Sequence, residues 1–267
     1  MGEMITSFDS TKLYLNKETV ENAKAALVIV HGLCEHQGRY DYLADIFHRA
    51  GISTYRFDHR GHGRSEGERT HYEDFNELLD DTNVVVDMAM GENPDIPVFL
   101  MGHSMGGFTV SLYGVKYPDK GLRGIVTSGA LTHDNQRLIA GTPAGMEPHT
   151  KLPNELGSGV CSVKEVVDWY GKDPYNTQSF TAGLCYALNK GVQWFSEKEK
   201  EFNYPVLMLH GEKDGLVSVK DTYDFFANVA SKDKQMKIYG NLFHEIFNEY
   251  CKDEVIGDAL SWIEKRI

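Results

Sequence analysis

The segment Val98–Lys116, VFLMGHSMGGFTVSLYGVK, constrains the fold more than any other part of this 267-residue chain. Val98–Met101 is a continuous apolar run, as expected of a strand buried on both faces. Phe108–Lys116 carries its apolar residues at helical spacing, and Tyr117-Pro118 closes it. Only Gly102-His103-Ser104-Met105-Gly106-Gly107 separates the two. A strand that passes into a helix through so short a glycine-rich turn is one unit of a layered α/β architecture.

The rest of the chain repeats that unit. Ala25–Val30 (AALVIV), Ser53–Phe57 and Gly124–Ser128 read as strands. Between them, Tyr40–Ala50 and Phe75–Met90 read as helices. In the first, Tyr40, Leu43, Ala44, Phe47 and Ala50 share a face, and Gly51 stands where a C-terminal glycine is expected. The alternation breaks near Leu131 and resumes with strands Val206–His210 and Gln235–Tyr239 and a closing helix, Lys252–Lys265, with Val255, Ala259 and Ile263 on one side. This predicts a mostly parallel sheet with helices on both faces, built from residues 1–130 and 203–267. Residues 131–202 are expected to form an inserted, mainly helical cap. Its first part, Gly141–Gly159, is rich in Pro and Gly and reads as a long loop, either functional or mobile. Val163–Tyr170 and Ala182–Phe195 read as helices, the second with Leu184, Leu188, Val192 and Phe195 on one face.

Composition narrows the partners. The net charge of −12 opposes binding to phosphate backbones, so no nucleic-acid partner is expected, and anionic membranes are disfavoured for the same reason. The polar N-terminus lacks a signal-peptide core, and no 18-residue apolar stretch occurs. Cys34, Cys161, Cys185 and Cys251 are scattered, with no zinc spacing, and are expected as reduced thiols of a cytoplasmic protein.

The chemistry starts at Ser104. In G-x-S-x-G on a strand–turn–helix, the turn is too tight for side chains two residues to either side of the serine, and it lifts the hydroxyl off the sheet. This is the nucleophile elbow of the α/β-hydrolase fold. The turn also aims the Met105 N–H at a developing oxyanion, and the Leu33 N–H, just after the first buried strand, is the candidate second donor. The triad partners then follow in the order Ser, Asp/Glu, His. Asp214, in a loop past a strand end, is the candidate acid, with Glu212 its rival by spacing. His244, past the next strand, is the candidate base. The histidines of Asp58-His59-Arg60-Gly61-His62-Gly63-Arg64-Ser65 have no third ligand at useful spacing and read as structural, so no metal is expected. Acyl transfer by these groups requires no cofactor.

Five stretches in order resemble one family, the monoacylglycerol lipases and lysophospholipases of the serine-aminopeptidase type. They are HGLCEHQGRYDYLA from His31, DHRGHGRSEG from Asp58, GHSMGG, HGEKDGLV from His210 and HEIFNE from His244. The resemblance covers nearly the whole chain. It implies a cap over the site and a small amphiphilic ester substrate with one fatty acyl chain and a small polar head group. It also implies that Glu35 and Arg39 approach the head group, although an ion pair that braces the loop explains them equally. Leu184 and Leu188, with Phe195, are candidates for lining an acyl channel, although packing of the cap on the core explains them better. An apolar cap would allow transient contact with a lipid surface, or dimer formation. A monoacylglycerol lipase is the expected activity, with lysophospholipase, broad carboxylesterase, amidase and non-catalytic binding as the alternatives.

Overall fold

The computed structural model describes residues 2–267. β1 (Glu3–Thr6) and β2 (Lys12–Glu18) form a hairpin that leads into β3 (Ala25–Val30). A 3₁₀ turn, Gln37–Tyr40, runs into α1 (Asp41–Arg49), followed by β4 (Ile52–Phe57), α2 (Asn76–Glu92), β5 (Val98–His103), α3 (Met105–Lys116) and β6 (Gly124–Ser128). Then come β7 (Lys151–Pro153), α4 (Gly157–Val160), α5 (Lys164–Tyr170), β8 (Ser179–Thr181) and α6 (Ala182–Lys198). β9 (Val206–Gly211), α7 (Val219–Asn228), β10 (Lys234–Tyr239) and α8 (Lys252–Glu264) complete the chain.

Eight strands form one sheet in the order β1-β2-β4-β3-β5-β6-β9-β10. Every pairing from β4 to β10 is parallel, and only β1 and β2 enter antiparallel. Because successive side chains of a strand face opposite ways, β3 serves two cores at once. Ala26, Val28 and Val30 join the core that holds α2, α3 and α6, while Ala25, Leu27 and Ile29 join the core against α1 and α8. The AALVIV run is apolar throughout because no face of β3 meets water.

Most elements lie where the sequence predicts them. Gly51 does terminate α1, at φ +84°, with its N–H on the His48 carbonyl at 2.9 Å. The helix after Ser104 begins at Met105 rather than Phe108, since the turn itself forces Gly106 and Gly107 into helical conformation. The hairpin β1–β2 and helix α7 have no counterpart in the sequence reading. Gly141–Gly159 is not purely loop: it contains β7, which pairs antiparallel with β8, and the start of α4. Thr181 caps α6 by accepting the Leu184 N–H at 3.1 Å.

The excursion between β6 and β9 is pinned to the sheet-edge loops at separate points. Thr177 N donates to the Cys34 carbonyl at 2.9 Å, and Thr181 N to that of Thr70 at 3.2 Å. Glu245 N donates to the Val160 carbonyl at 2.6 Å. His36 Nε2 lies 2.9 Å from Asp173 Oδ2.

Candidate active site

Parallel strands deliver their C-terminal ends to one edge of the sheet, and that edge gathers the candidate residues. Ser104 follows β5, the His31-Gly32-Leu33 loop follows β3, Asp214 lies just past β9, and His244 lies past β10. Ser104 adopts φ 55°, ψ −117°, a conformation that non-glycine residues rarely occupy. Close approach holds it there. A Cβ on Gly102 would sit 2.2 Å from the Gly106 carbonyl oxygen, and one on Gly106 only 2.1 Å from that of Val30. Ser104 N donates to the Ser128 carbonyl at 2.9 Å, and the Ser104 carbonyl accepts from Phe108 N at 2.8 Å, which starts the helix.

Asp214 and His244 meet. Asp214 Oδ2 lies 2.6 Å from His244 Nδ1, while Oδ1 accepts the backbone N–H groups of Leu216 and Val217, each at 2.9 Å. Burial alone would raise the pKa of this carboxyl. The charge of His244 and hydrogen bonds from His210 and His244 outweigh it, and the pKa falls below the usual carboxylate range. An ionised carboxylate only accepts, so His244 Nδ1 carries the proton and Nε2 keeps its lone pair. Burial pushes the His244 pKa down, but the facing Asp214 carboxylate raises it by more. Glu212 is exposed and turned away, with its Oε2 3.3 Å from Asn241 N.

Sequence reasoning missed His210, at the end of β9. Its Nε2 lies 2.9 Å from Asp214 Oδ2 and 3.1 Å from the Val217 carbonyl, and its Nδ1 lies 2.7 Å from the Thr222 hydroxyl. His210 therefore holds the same carboxylate oxygen that faces His244. The signal was present as a polar residue closing an otherwise apolar strand, VLMLH.

The loop after β3 is braced from within. Glu35 Oε1 accepts Gly32 N at 2.5 Å and the Tyr40 hydroxyl at 2.7 Å. Arg39 Nη1 reaches Glu35 Oε2 at 3.1 Å and Glu245 Oε1 at 2.7 Å, and its Nη2 reaches Glu245 Oε2 at 2.7 Å. The guanidinium also lies over the Tyr170 ring, 4.9 Å from its centroid. Among the described residues, neither the Leu33 nor the Met105 N–H has an intramolecular acceptor. Glu245, adjacent to His244, is the other residue that sequence reasoning overlooked.

A narrow cavity opens over Ser104. Gly32, Leu33, Met105 and His244 line its floor, and Glu35, Glu245 and His103 supply its polar wall. The excursion provides an apolar roof of Leu131, Leu138, Ile139, Leu156, Val160 and Leu188. Of the candidate acyl-channel residues, Leu188 reaches the cavity, whereas Leu184 and Phe195 are buried in the core beneath it.

His59 and His62 take the structural part expected of them. With His31 they form a buried cluster whose ring centroids lie 4.5 to 6.0 Å apart. His31 Nε2 accepts the His59 N–H at 2.9 Å, so its Nδ1–H donates to the Gly32 carbonyl at 2.7 Å. Burial drives the His31 and His62 pKa values down to about 3, which keeps these rings neutral. Glu68, His71 and His149 are the one grouping of potential metal ligands among the described residues. The His71 and His149 rings are stacked, with centroids 4.4 Å apart and planes 16° apart, so their in-plane lone pairs run side by side rather than converge.

Comparison with known proteins places the chain in a family. The serine aminopeptidase, S33, family pattern matches residues 21–250. The chain is 35% identical to a monoacylglycerol lipase of Mycolicibacterium smegmatis over 246 residues, covering 90% of this chain and 88% of that protein. It is 32% identical to a human monoglyceride lipase over 256 residues, covering 91% and 83%. The crystal structure of a Paleococcus ferrophilus monoacylglycerol lipase superposes with a TM-score of 0.85 at 27% identity, covering 96% of this chain and 99% of that one.

Proposed function

The chain belongs to the serine aminopeptidase, S33, family of hydrolases, and from that premise we propose that it is a serine ester hydrolase cleaving monoacylglycerols to fatty acid and glycerol. The observation that carries this reading is the Asp214–His244 pair at 2.6 Å beside a strained Ser104, at the floor of a cavity with an apolar roof and a polar wall. A single acyl chain suits the roof, and a small hydroxylated head group suits the wall.

In this reading His244 Nε2 takes the Ser104 proton as Oγ attacks the acyl carbonyl. The charge that develops on the carbonyl oxygen is met by the Leu33 and Met105 N–H groups, which have no competing acceptor. Asp214 holds the imidazole tautomer and stabilises the imidazolium. The tetrahedral intermediate expels the glycerol oxygen, which takes the proton from His244. Water, activated by the same base, then attacks the acyl-enzyme and releases the fatty acid. Among the described residues that line the cavity floor and roof there is no Lys or Arg, which supports a neutral ester.

We assign residues 131–202 the part of a cap, because they furnish the roof of the cavity. Four unpaired cysteines favour a reducing compartment such as the cytoplasm. No helix among the described residues is long and apolar enough to cross a membrane. The deciding experiment is hydrolysis of monoacylglycerols, lysophosphatidylcholine and p-nitrophenyl esters by the parent and by Ser104→Ala. Preference for monoacylglycerols, lost in the variant, is expected. Preference for lysophosphatidylcholine would leave the chemistry in place and overturn the substrate.

A further inference from the structure

We propose that Glu245 and Glu35 together make the head-group wall of the cavity anion-excluding, so that the enzyme takes neutral acylglycerols and rejects acylglycerol phosphates. The inference rests on the reading of Ser104 as nucleophile and names what sets the head-group class. Both carboxylates are buried, at 5% and 3% exposure, and both line the cavity over Ser104. They recur, with His103, in the wall of a second cavity beside it, so they stand between the two.

Two carboxylates face one guanidinium, which leaves the wall with a net charge of about −1 by formal counting. Arg39 is the only Lys or Arg lining either cavity among the described residues. Both its Nη atoms are engaged, one with Glu35 and Glu245 and the other with Glu245. A phosphate could reach it only by displacing carboxylates already in place, in a buried setting where like charges repel strongly.

Hydroxyls meet the opposite situation. A carboxylate offers roughly four acceptor sites. Glu35 fills its own with Gly32 N, the Tyr40 hydroxyl and Arg39. Glu245 fills its own with the two Arg39 nitrogens and Asn248 Nδ2. Each therefore retains about one acceptor site, and a monoacylglycerol brings two free hydroxyl donors. A phosphate monoester, ionised near neutral pH, brings repulsion and one donor fewer.

The test compares kcat/KM for 1-hexanoylglycerol and 1-hexanoylglycerol 3-phosphate, with Ser104→Ala as blank. The parent is expected to favour the neutral ester by on the order of a hundredfold. Glu245→Gln, which brings the wall to neutrality while keeping its shape, is expected to narrow that ratio by about tenfold. Glu35→Gln removes the same charge and is expected to narrow it too, even though it also loosens the Gly32 loop. The ratio is taken within one protein, so a general loss of rate cancels. A parent ratio near one, or a ratio unmoved in both variants, overturns the inference while leaving the lipase reading intact. Turnover of p-nitrophenyl butyrate with neither glycerol ester cleaved would overturn that reading and this one with it.

Discussion

Around Ser104, buried polar groups hold one another in place. Asp214 is fixed by two backbone N–H groups and two histidines, and the Gly32 loop is tied to Glu35. Across residues 129–205 the arrangement differs. Short elements, β7, β8 and α4 among them, touch the sheet-edge loops through scattered backbone bonds such as Glu245 N to Val160 O. The loops need sub-ångström placement because they face the reacting atoms. The excursion needs only to present an apolar surface at the right distance. Precision and permissiveness are thus divided between two parts of one cavity.

The largest expected effect would break that division outright if it failed. Ser104→Ala should lower kcat by about 10⁶-fold on every ester, and near-parental turnover would mean that the elbow is not the reacting centre. Next comes Asp214→Asn, which should cost about 10⁴-fold in kcat by presenting His244 in the wrong tautomer. The pH profile adds a sign. The His244 pKa is raised above the ordinary 6.5, and only the neutral ring accepts the Ser104 proton. Activity should therefore fall as pH drops through a value above 6.5, and Asp214→Asn should move that limb to lower pH because the raising charge is gone. An acid limb that stays in place in the variant would detach Asp214 from the base.

Smaller effects sharpen the comparison. Glu35→Ala releases the Gly32 N–H and should reduce kcat by about 10²-fold, the lower range for a lost oxyanion donor. Leu188→Ala, in the roof, should raise KM for long-chain esters by about tenfold, the value of a few lost methylene contacts, with p-nitrophenyl acetate nearly unaffected. If it instead lowered turnover of long and short esters equally, the roof would not be independent of the chemistry. Ser162→Ala, which removes the side-chain bond to Glu249, should cost about 1 kcal/mol of stability in denaturant unfolding and little rate.

The same division explains what could be read from sequence. AALVIV, VFLM and VLML are legible as strands because burial on both faces leaves no polar residue to confuse the pattern. The gathering of Ser104, Asp214 and His244 at one sheet edge is legible because the elbow fixes the first and chain order points to the others. The hairpin β1–β2 escaped because the inward residues of β2, Leu13 and Leu15, alternate with half-exposed ones, so the strand next to the sheet edge has no continuous apolar run. β7 and α4 escaped because elements this short carry no period. Glu245 and His210 escaped for another reason. Glu245 pairs with Arg39, 206 positions away, and no local pattern announces that. His210 pairs close by in the chain, with Asp214, Val217 and Thr222, and a polar residue closing an apolar strand shows only that it has a partner, not which one.

β6 and β9 are hydrogen-bonded neighbours in the central sheet, with Ile125 opposite Val206, yet residues 129–205 separate them along the chain. The excursion therefore leaves the sheet and returns to it at almost the same place. Loop-closure entropy grows only logarithmically, by about 0.6 kcal/mol for each doubling of length. Closure alone would therefore tolerate a shorter or longer segment, provided that it still fills the core positions held by Leu184, Leu188 and Phe195 of α6. What changes is kinetic: pairing β6 with β9 joins residues distant in sequence, and that slows folding. The chain thus carries its roof on a detour between two strands that would be adjacent without it, and anchors that detour to the core through α6.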